Sequence, residues 1–531
     1  MKRAAFLLAF LLTAVSCASL QQQSRSQVDR AMQALGGADT LGRIKTLATK
    51  GTVRQWEPEQ SMVAGGEMRL ACDSTFDALT DVAARTTRID WVRSFAYPSP
   101  RTFRYTEIVT PEAGYVAGID SNGRTKQSLE SNPPAHSMSG LRLTTTQREL
   151  LRASPLLLLD MHQNPDRLSS GGDVMVGSIS YPAVDYRLGG QTFTMLFDRT
   201  SALPVRIRTL DYDNIWGDVT FDVALSDWQV VDGVRMATTR TYELNGRQVA
   251  VVKVTETTVN APATADRFAI PDAFRTAAAR PAATDRVPYQ WVIRRQFIGI
   301  YLDSDVPSYD TRASTGLRFV ELSPGVQHVT GGSHHSLLVE MRDHLIVFDS
   351  PVSDGHSKLV LDMARARYPG KPVKYLVLTH HHMDHAGGLR AYAAQGATIV
   401  GGRGTTPHYR RVLAAPFTRN PDLPSRDLRN TPIIEVDSKH VLTDGRREVH
   451  AYVIEPNPHA EGLLIGYLPE TRLGFVTDIW SPGAGAPPEK LNPALAALVA
   501  GVKRAGIAPQ RFAGGHGAVA DYAPLAALEG K

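Results

Sequence analysis

The sequence predicts two kinds of domain in series: a mostly antiparallel β-rich domain, then an α/β domain in which strands alternate with helices. Three observations carry that expectation. Between Thr46 and Asn260, strand patterns are punctuated by Asp-Gly and Asn-Gly pairs. Around 275–288 the composition turns to Ala, Pro, Arg and Thr, as in a linker. From Gly316 onward, short apolar strands alternate with helical patterns.

In chain order, the first residues read as an export signal, residues 1–18. Lys2 and Arg3 precede an apolar run, Ala4 to Val15, too short to span a bilayer comfortably. Two cleavage readings compete. Cutting after Ala18 releases a soluble periplasmic protein. Cutting before Cys17 leaves a cysteine for a lipid anchor to the membrane. Ala14-Val15-Ser16-Cys17 resembles a bacterial lipobox, with Ala14 where Leu is usual.

The β-rich domain is expected over 28–274. It opens with a helical pattern from Val28 to Ile44 (Met32, Leu35, Leu41, Ile44). Thr192 to Phe197 alternates polar and apolar residues. Asp232-Gly233 separates Trp228–Val231 from Val234–Met236, and Asn245-Gly246 separates a Thr/Tyr-rich run from Val249–Val252. Both read as hairpins. The meander loosely resembles the half-barrels of periplasmic lipoprotein carriers, which implies a scaffold without chemistry of its own. A linker is expected over 275–312 and the α/β domain over 313–531. There, strands Gly325–Thr330, Leu337–Glu340 and Leu345–Phe348 come first. Helix Lys358–Arg367, strand Val373–Thr379, helix Gly388–Gln395 and strand Thr398–Val400 follow.

Composition narrows the function. A chain of 531 residues has room for two to four domains. The net charge of +5 is mild for this length, and no Lys/Arg run is dense enough for a nucleic-acid partner. The two cysteines, Cys17 and Cys72, support neither a disulfide framework nor a cysteine metal cluster. Any metal must be held by His and carboxylate.

The chemistry concentrates in Leu378-Thr379-His380-His381-His382-Met383-Asp384-His385-Ala386-Gly387-Gly388, between an apolar strand and a helix. Sites in α/β proteins sit at such carboxyl ends of strands. His380 and His382 are two apart, so an extended loop projects both rings to one side to share a cation. Asp384 and His385 lie further round the turn and face a second cation. Gly387 and Gly388 let the backbone pack tightly where the helix begins.

This His-x-His-x-Asp-His motif followed by Gly-Gly resembles the metal-binding signature of the metallo-β-lactamase superfamily. Further matches follow in the superfamily's order: Asp349 after Leu345–Phe348, His459 in Pro456–Gly462, Asp478 after Leu473–Thr477, and His516 in Gly514–Gly517. The resemblance covers roughly Gly316 to the C terminus. It implies an αββα sandwich and a dinuclear hydrolase. His380, His382 and His459 would hold one metal, Asp384, His385 and His516 the other, and Asp478 both. Asp384 would also act catalytically, by orienting an attacking hydroxide shared by the metals, and Asp349 would orient the ligand loop from behind. Two Zn2+ are expected, with Fe or Mn as alternatives. The substrate is expected to be a small molecule with a carbonyl or ester-type group.

His381 matches no ligand position, and His328, His334, His335, His356 and His408 have no motif role. His334 and His335 follow Gly331-Gly332 in a loop between strands, where they can overhang the site and touch substrate. Thr405 to Pro432 is Pro- and Arg-rich. Its Arg410, Arg411 and Arg419 either attract an anionic substrate or face solvent. The ligand pattern is nearest to subclass B3 β-lactamases, while Asp478 matches glyoxalase II. Few residues follow His516, which leaves no room for the appended C-terminal domains of glyoxalase II or the alkylsulfatases. Three other functions stay in view. One is a B3-type β-lactamase. Another is a mononuclear iron oxygenase of the same fold. The third is a periplasmic binding protein for a lipid or other apolar ligand, with a degenerate hydrolase domain.

Overall fold

The computed structural model describes residues 20–121, 133–275, 316–331, 334–419, 427–485 and 488–529. The export signal and almost all of the linker lie outside the described residues. The chain divides into two compact units. One comprises residues up to Glu57, Leu70–Asp211 and the stretch from Val219 to Ser304. The other comprises Pro58–Arg69, Tyr212–Asp218 and the chain from Asp305 onward.

The first unit is built on a thirteen-stranded sheet. Every strand pairs with the next in sequence except the sixth and seventh, Ala135–Ser137 and Leu168–Val176, which form the two edges. Strand Thr46–Glu57 pairs antiparallel with the last, Arg247–Val259, so the chain enters and leaves mid-sheet. The two expected hairpins are present. Val231 lies opposite Val234 across Asp232-Gly233, and Leu244 opposite Arg247 across Asn245-Gly246. All four turn residues have positive φ, from 48° to 80°, as a two-residue type I′ turn requires.

Helical residues 20–35, helix Ala38–Gly42 and helix Leu156–Gln163 bury Val28, Met32, Leu35, Leu41, Leu157 and Met161 against Tyr186, Phe193, Met195 and Ile207 of the sheet. Each large apolar side chain buried this way contributes roughly 1.5–3 kcal/mol. Helix Gly140–Arg152 interrupts a stretch that reads as strand-rich. Ser139 caps it by accepting from the Arg142 N–H. Its inward face carries Arg142, paired with Glu107 and Asp120 at 2.6 Å, and Arg148, which makes a two-pronged bond to Asp211 at 2.8 and 3.1 Å. Its leucines and arginines fall mostly on different faces, so a helical period is present in the sequence; what the sequence does not show is that the arginine face is buried too. Cys72 is buried and free, and no described helix is long and apolar enough to cross a membrane.

The second unit layers two sheets. The first runs in chain order from Arg318–Ser323 to Ile433–Val436. It starts as a meander, then becomes parallel where Leu345–Phe348, Val373–Val377, Thr398–Gly402 and Ile433–Val436 lie side by side. The second runs in order from Lys439–Thr443 to Val519–Asp521, with Leu473–Val476 and Arg511–Gly514 parallel. Their facing sides share one core, including Ile346, Phe348, Val377, Val400, Leu464, Phe475 and Ala513, with Phe348 and Phe475 rings 5.7 Å apart. Helix Pro493–Arg504 covers the outer face of the second sheet through Leu498, Val499 and Val502, packed on Ile465, Val476 and Phe512. Helices Asp354–Arg367 and Leu389–Ala394 follow the parallel strands, bringing Val360, Leu361 and Leu389 inside. Helix, sheet, sheet and helix give the expected αββα sandwich. A mostly antiparallel β-rich region precedes it, also as expected.

His356, on the first turn of helix Asp354–Arg367, is buried with neither ring nitrogen bonded. Burial, with His334 and His335 adding, pushes its pKa down to about 4. In the unfolded chain it titrates near 6.5. The unfolded state therefore binds the extra proton first. The stability tied to a neutral His356 is complete above about 6.5 and drains away as pH falls toward 4. The loss is on the order of 2–3 kcal/mol. A His356→Phe variant is expected to keep more of its neutral-pH stability in urea melts at pH 4.5 than the wild type. Equal acid losses in the two proteins would contradict the assignment.

Candidate metal centre

Two parallel strands set the site. Leu345–Phe348 and Val373–Val377 run side by side with Phe348 opposite Val377, so Asp349 and the Thr379–His385 loop emerge at the same end. Asp349 is fully buried at φ +60°, in the left-handed region that Asp and Asn enter more readily than most other non-glycine residues. Its carboxylate accepts from the Thr379 backbone N–H at 2.7 Å, the Thr379 hydroxyl at 2.9 Å and His385 Nδ1 at 2.8 Å. The last bond puts the His385 proton on Nδ1 and turns the Nε2 lone pair the other way. Gly387 and Gly388 allow the close packing behind this loop. A Cβ on Gly387 would stand 2.2 Å from the Val352 carbonyl oxygen, and one on Gly388 2.4 Å from that of Ser353.

The structure brings together all seven residues singled out as ligands, in two adjoining groups. Ligand atoms of His380, His382, His459 and Asp478 lie within 4.8 Å of one another, and so do those of Asp384, His385, His516 and a further residue, His334. Asp478 joins the groups. Its Oδ2 is 3.0 Å from His380 Nε2, 3.0 Å from His385 Nε2 and 3.2 Å from His459 Nε2, and its Oδ1 is 2.8 Å from His516 Nε2. Like Asp349 it stands at the end of an apolar strand with positive φ, +49°. Strained backbone of this kind persists where the surrounding structure fixes it.

These atoms suit divalent cations. His380 Nε2 faces His459 Nε2 at 3.2 Å, and His385 Nε2 faces His516 Nε2 at 3.2 Å. Two lone pairs so aimed repel unless a cation or proton lies between them. His382 Nδ1 is buried without a hydrogen-bond partner, an arrangement that native interiors tolerate rarely. Burial, then neighbouring His385, pushes His380 down to about 3. Burial and His380 hold His382 well below the usual range. Both rings are therefore neutral, as ligation demands. Burial would raise the Asp478 and Asp384 carboxyls, but the surrounding imidazoles outweigh it and hold both well below their ordinary values. Imidazoles with carboxylates and no thiolate suit first-row divalent cations, Zn2+, Fe and Mn among them.

The sequence gives His334 at most a substrate contact, yet its Nε2 is 3.3 Å from Asp384 Oδ2. The clue available in the sequence was its place just after Gly331-Gly332, where a loop between strands is expected. His381 points elsewhere, with Nε2 3.0 Å from the Ser61 carbonyl oxygen. His328 bonds the Gly514 carbonyl, and His408 stacks edge-on to His381. Arg410 is tied to the carbonyls of Arg429 and Thr431, and the Arg419 N–H to Asp218. The Arg410 guanidinium is thus held by backbone carbonyls. No sequence motif marks Gln60 and Ser61, both of which contact the ligand loop.

Residues 329–517 match the family model of the Metallo-beta-lactamase superfamily. A linear primary-alkylsulfatase from Pseudomonas sp. is 34% identical over 71 residues, 13% of this chain and 10% of that protein. The matched part thus spans about a tenth of that relative's length. Among solved structures, a metallo-beta-lactamase from Pontibacter korlensis is 20% identical, covering 40% of this chain and 100% of its own, with a TM-score of 0.32. A sec-alkylsulfatase from Pseudomonas sp. is 16% identical over 43% of each chain, TM-score 0.31. A flavodiiron protein from Giardia intestinalis is 16% identical over 40% of this chain and 58% of its own, TM-score 0.30. By its sequence match and its ligand motifs, the region 329–517 belongs to the metallo-β-lactamase superfamily.

Proposed function

We propose that this chain is a dinuclear-zinc hydrolase acting on a small-molecule carbonyl or ester-type substrate. His380, His382 and His459 would hold one ion, Asp384, His385 and His516 the other, and Asp478 would adjoin both. The observation that carries this reading is the Asp478 carboxylate, met by four imidazoles at 2.8–3.2 Å from three separate loops. When bound, such a pair of ions supplies a hydroxide nucleophile near neutral pH and an electrophilic contact for the substrate oxygen.

The chain's own groups do the rest. Asp349 fixes the His385 ring by accepting from Nδ1. Asp384, on the short helix Met383–Ala386, presents a carboxylate that would orient the attacking hydroxide by accepting a hydrogen bond, and His334 adjoins its Oδ2. No serine or cysteine nucleophile is required. A degenerate hydrolase domain fits poorly, because a full donor set converges on one place. The alkylsulfatase likeness adds sulfate esters to the substrate classes to be tried.

The test is zinc content followed by turnover of an ester, a lactone, a thioester, a β-lactam, a phosphodiester and an alkyl sulfate. Two zinc ions per chain are expected, with hydrolysis of one class. Chelation should abolish that hydrolysis, and zinc should restore it. A folded protein that takes up no metal would refute the reading. Restoration by iron or manganese but not by zinc would replace the metal.

A further inference from the structure

Residues 58–68 fall between strands Thr46–Glu57 and Arg69–Asp81 of the first unit's sheet, yet Pro58–Arg69 belongs to the second unit. Glu59, Gln60 and Ser61 are at most 7% exposed, less than expected for a hairpin connection. Their bonds run to both metal loops. The Ser61 carbonyl lies 2.9 Å from His382 Nε2 and 3.0 Å from His381 Nε2. The Gln60 amide donates to Asp384 Oδ1 at 2.9 Å. On the other side, the Glu461 N–H donates to the Met62 carbonyl at 2.8 Å, and the Arg69 guanidinium donates to the His459 carbonyl. The segment thus ties the His381–Asp384 loop to the loop that carries His459.

We propose that this segment is a working part of the metal centre, with Gln60 and Ser61 as its positioning residues. The inference rests on the metal reading above. A carbonyl oxygen only accepts, and its two lone pairs can serve two ring N–H groups. His381 and His382 therefore both carry their proton on Nε2. For His382 this leaves the lone pair on Nδ1, the buried nitrogen without a partner. That is the tautomer a ligand of the first group needs, set by a backbone group from a distant part of the sequence. Gln60 holds Asp384 through Oδ1, which fixes the direction of Oδ2 toward the second group. The two bonds together set one residue in each ligand group.

The experiment replaces residues 59–64 by a Gly/Ser linker of equal length in the full chain, and separately makes Gln60→Ala. Zinc affinity is read by competition with a chromophoric chelator, and coordination by the visible spectrum of the cobalt-loaded protein. Melting temperature serves as the fold control. The linker variant is expected to lose about 10–100-fold in zinc affinity, the range for partners that orient ligands. Gln60→Ala is expected to keep its melting temperature, alter the cobalt spectrum and lower kcat about tenfold at unchanged KM. Should the linker variant fail to fold, Gln60→Ala alone decides. Wild-type affinity and an unaltered spectrum in folded variants would overturn the inference while leaving the metal reading intact. A wild-type protein that binds no metal would overturn both.

Discussion

Asp478→Asn is expected to remove metal from both positions at once. No other described carboxylate lies within 3.2 Å of imidazoles from both ligand groups. Its negative charge also raises His385 and His516. Burial alone would lower them, but Asp478 outweighs it, with Asp384 assisting. An amide of the same shape takes away that charge and points either an N–H2 or a weaker oxygen at the ring lone pairs. Asparagine is preferable to alanine here because the position has φ +49°, which Asn tolerates better than other side chains. Backbone strain therefore changes little, and a loss of zinc can be assigned to chemistry. Zinc affinity should fall by at least ~100-fold, beyond the range for outer partners of ligands. Circular dichroism of the metal-free protein should be unaltered. Two zinc ions retained at wild-type affinity would show that Asp478 is not shared.

How much of this was legible in the sequence depends on how each feature is encoded. The hairpins at Asp232-Gly233 and Asn245-Gly246 are local, because positive φ at two adjacent positions demands particular residues. The His380–His385 loop is local too, and the strands that aim it are short apolar runs. Helix Gly140–Arg152 carries a helical period, but the burial of its arginine face was hidden, because the partners Glu107, Asp120 and Asp211 lie far off in sequence. Gln60 and Ser61 were hidden for a related reason. A backbone carbonyl carries no sequence signature, and a glutamine acquires meaning only when its partner, here Asp384, is known. His334 falls between. Its loop position was readable, but its distance to Asp384 was not. Ligand identity is therefore written in the motif, whereas ligand orientation is written in long-range contacts.

Asp384→Asn separates rate from metal binding and should behave differently from Asp478→Asn. Asp384 accepts from Gln60 through Oδ1, and its Oδ2 is 3.3 Å from His334 Nε2 and 3.7 Å from His385 Nε2. An asparagine can keep its oxygen toward Gln60 and turn its N–H2 toward His334, so the fold and the first ligand group should be untouched. What disappears is the charged acceptor that orients the nucleophile, a loss expected to be about 10²–10⁴ in rate, the size of a positioned acid–base group's contribution. The second position should bind zinc more weakly but fill at saturating zinc, since His385, His516 and Asp478 remain. The measurement is kcat on a verified substrate at saturating zinc, with zinc per chain determined on the same sample. A drop of two to four orders of magnitude with both ions present would assign Asp384 to the chemistry. A rate restored in proportion to zinc occupancy would make it a ligand only. Unchanged turnover at every zinc concentration would remove it from the site's mechanism altogether.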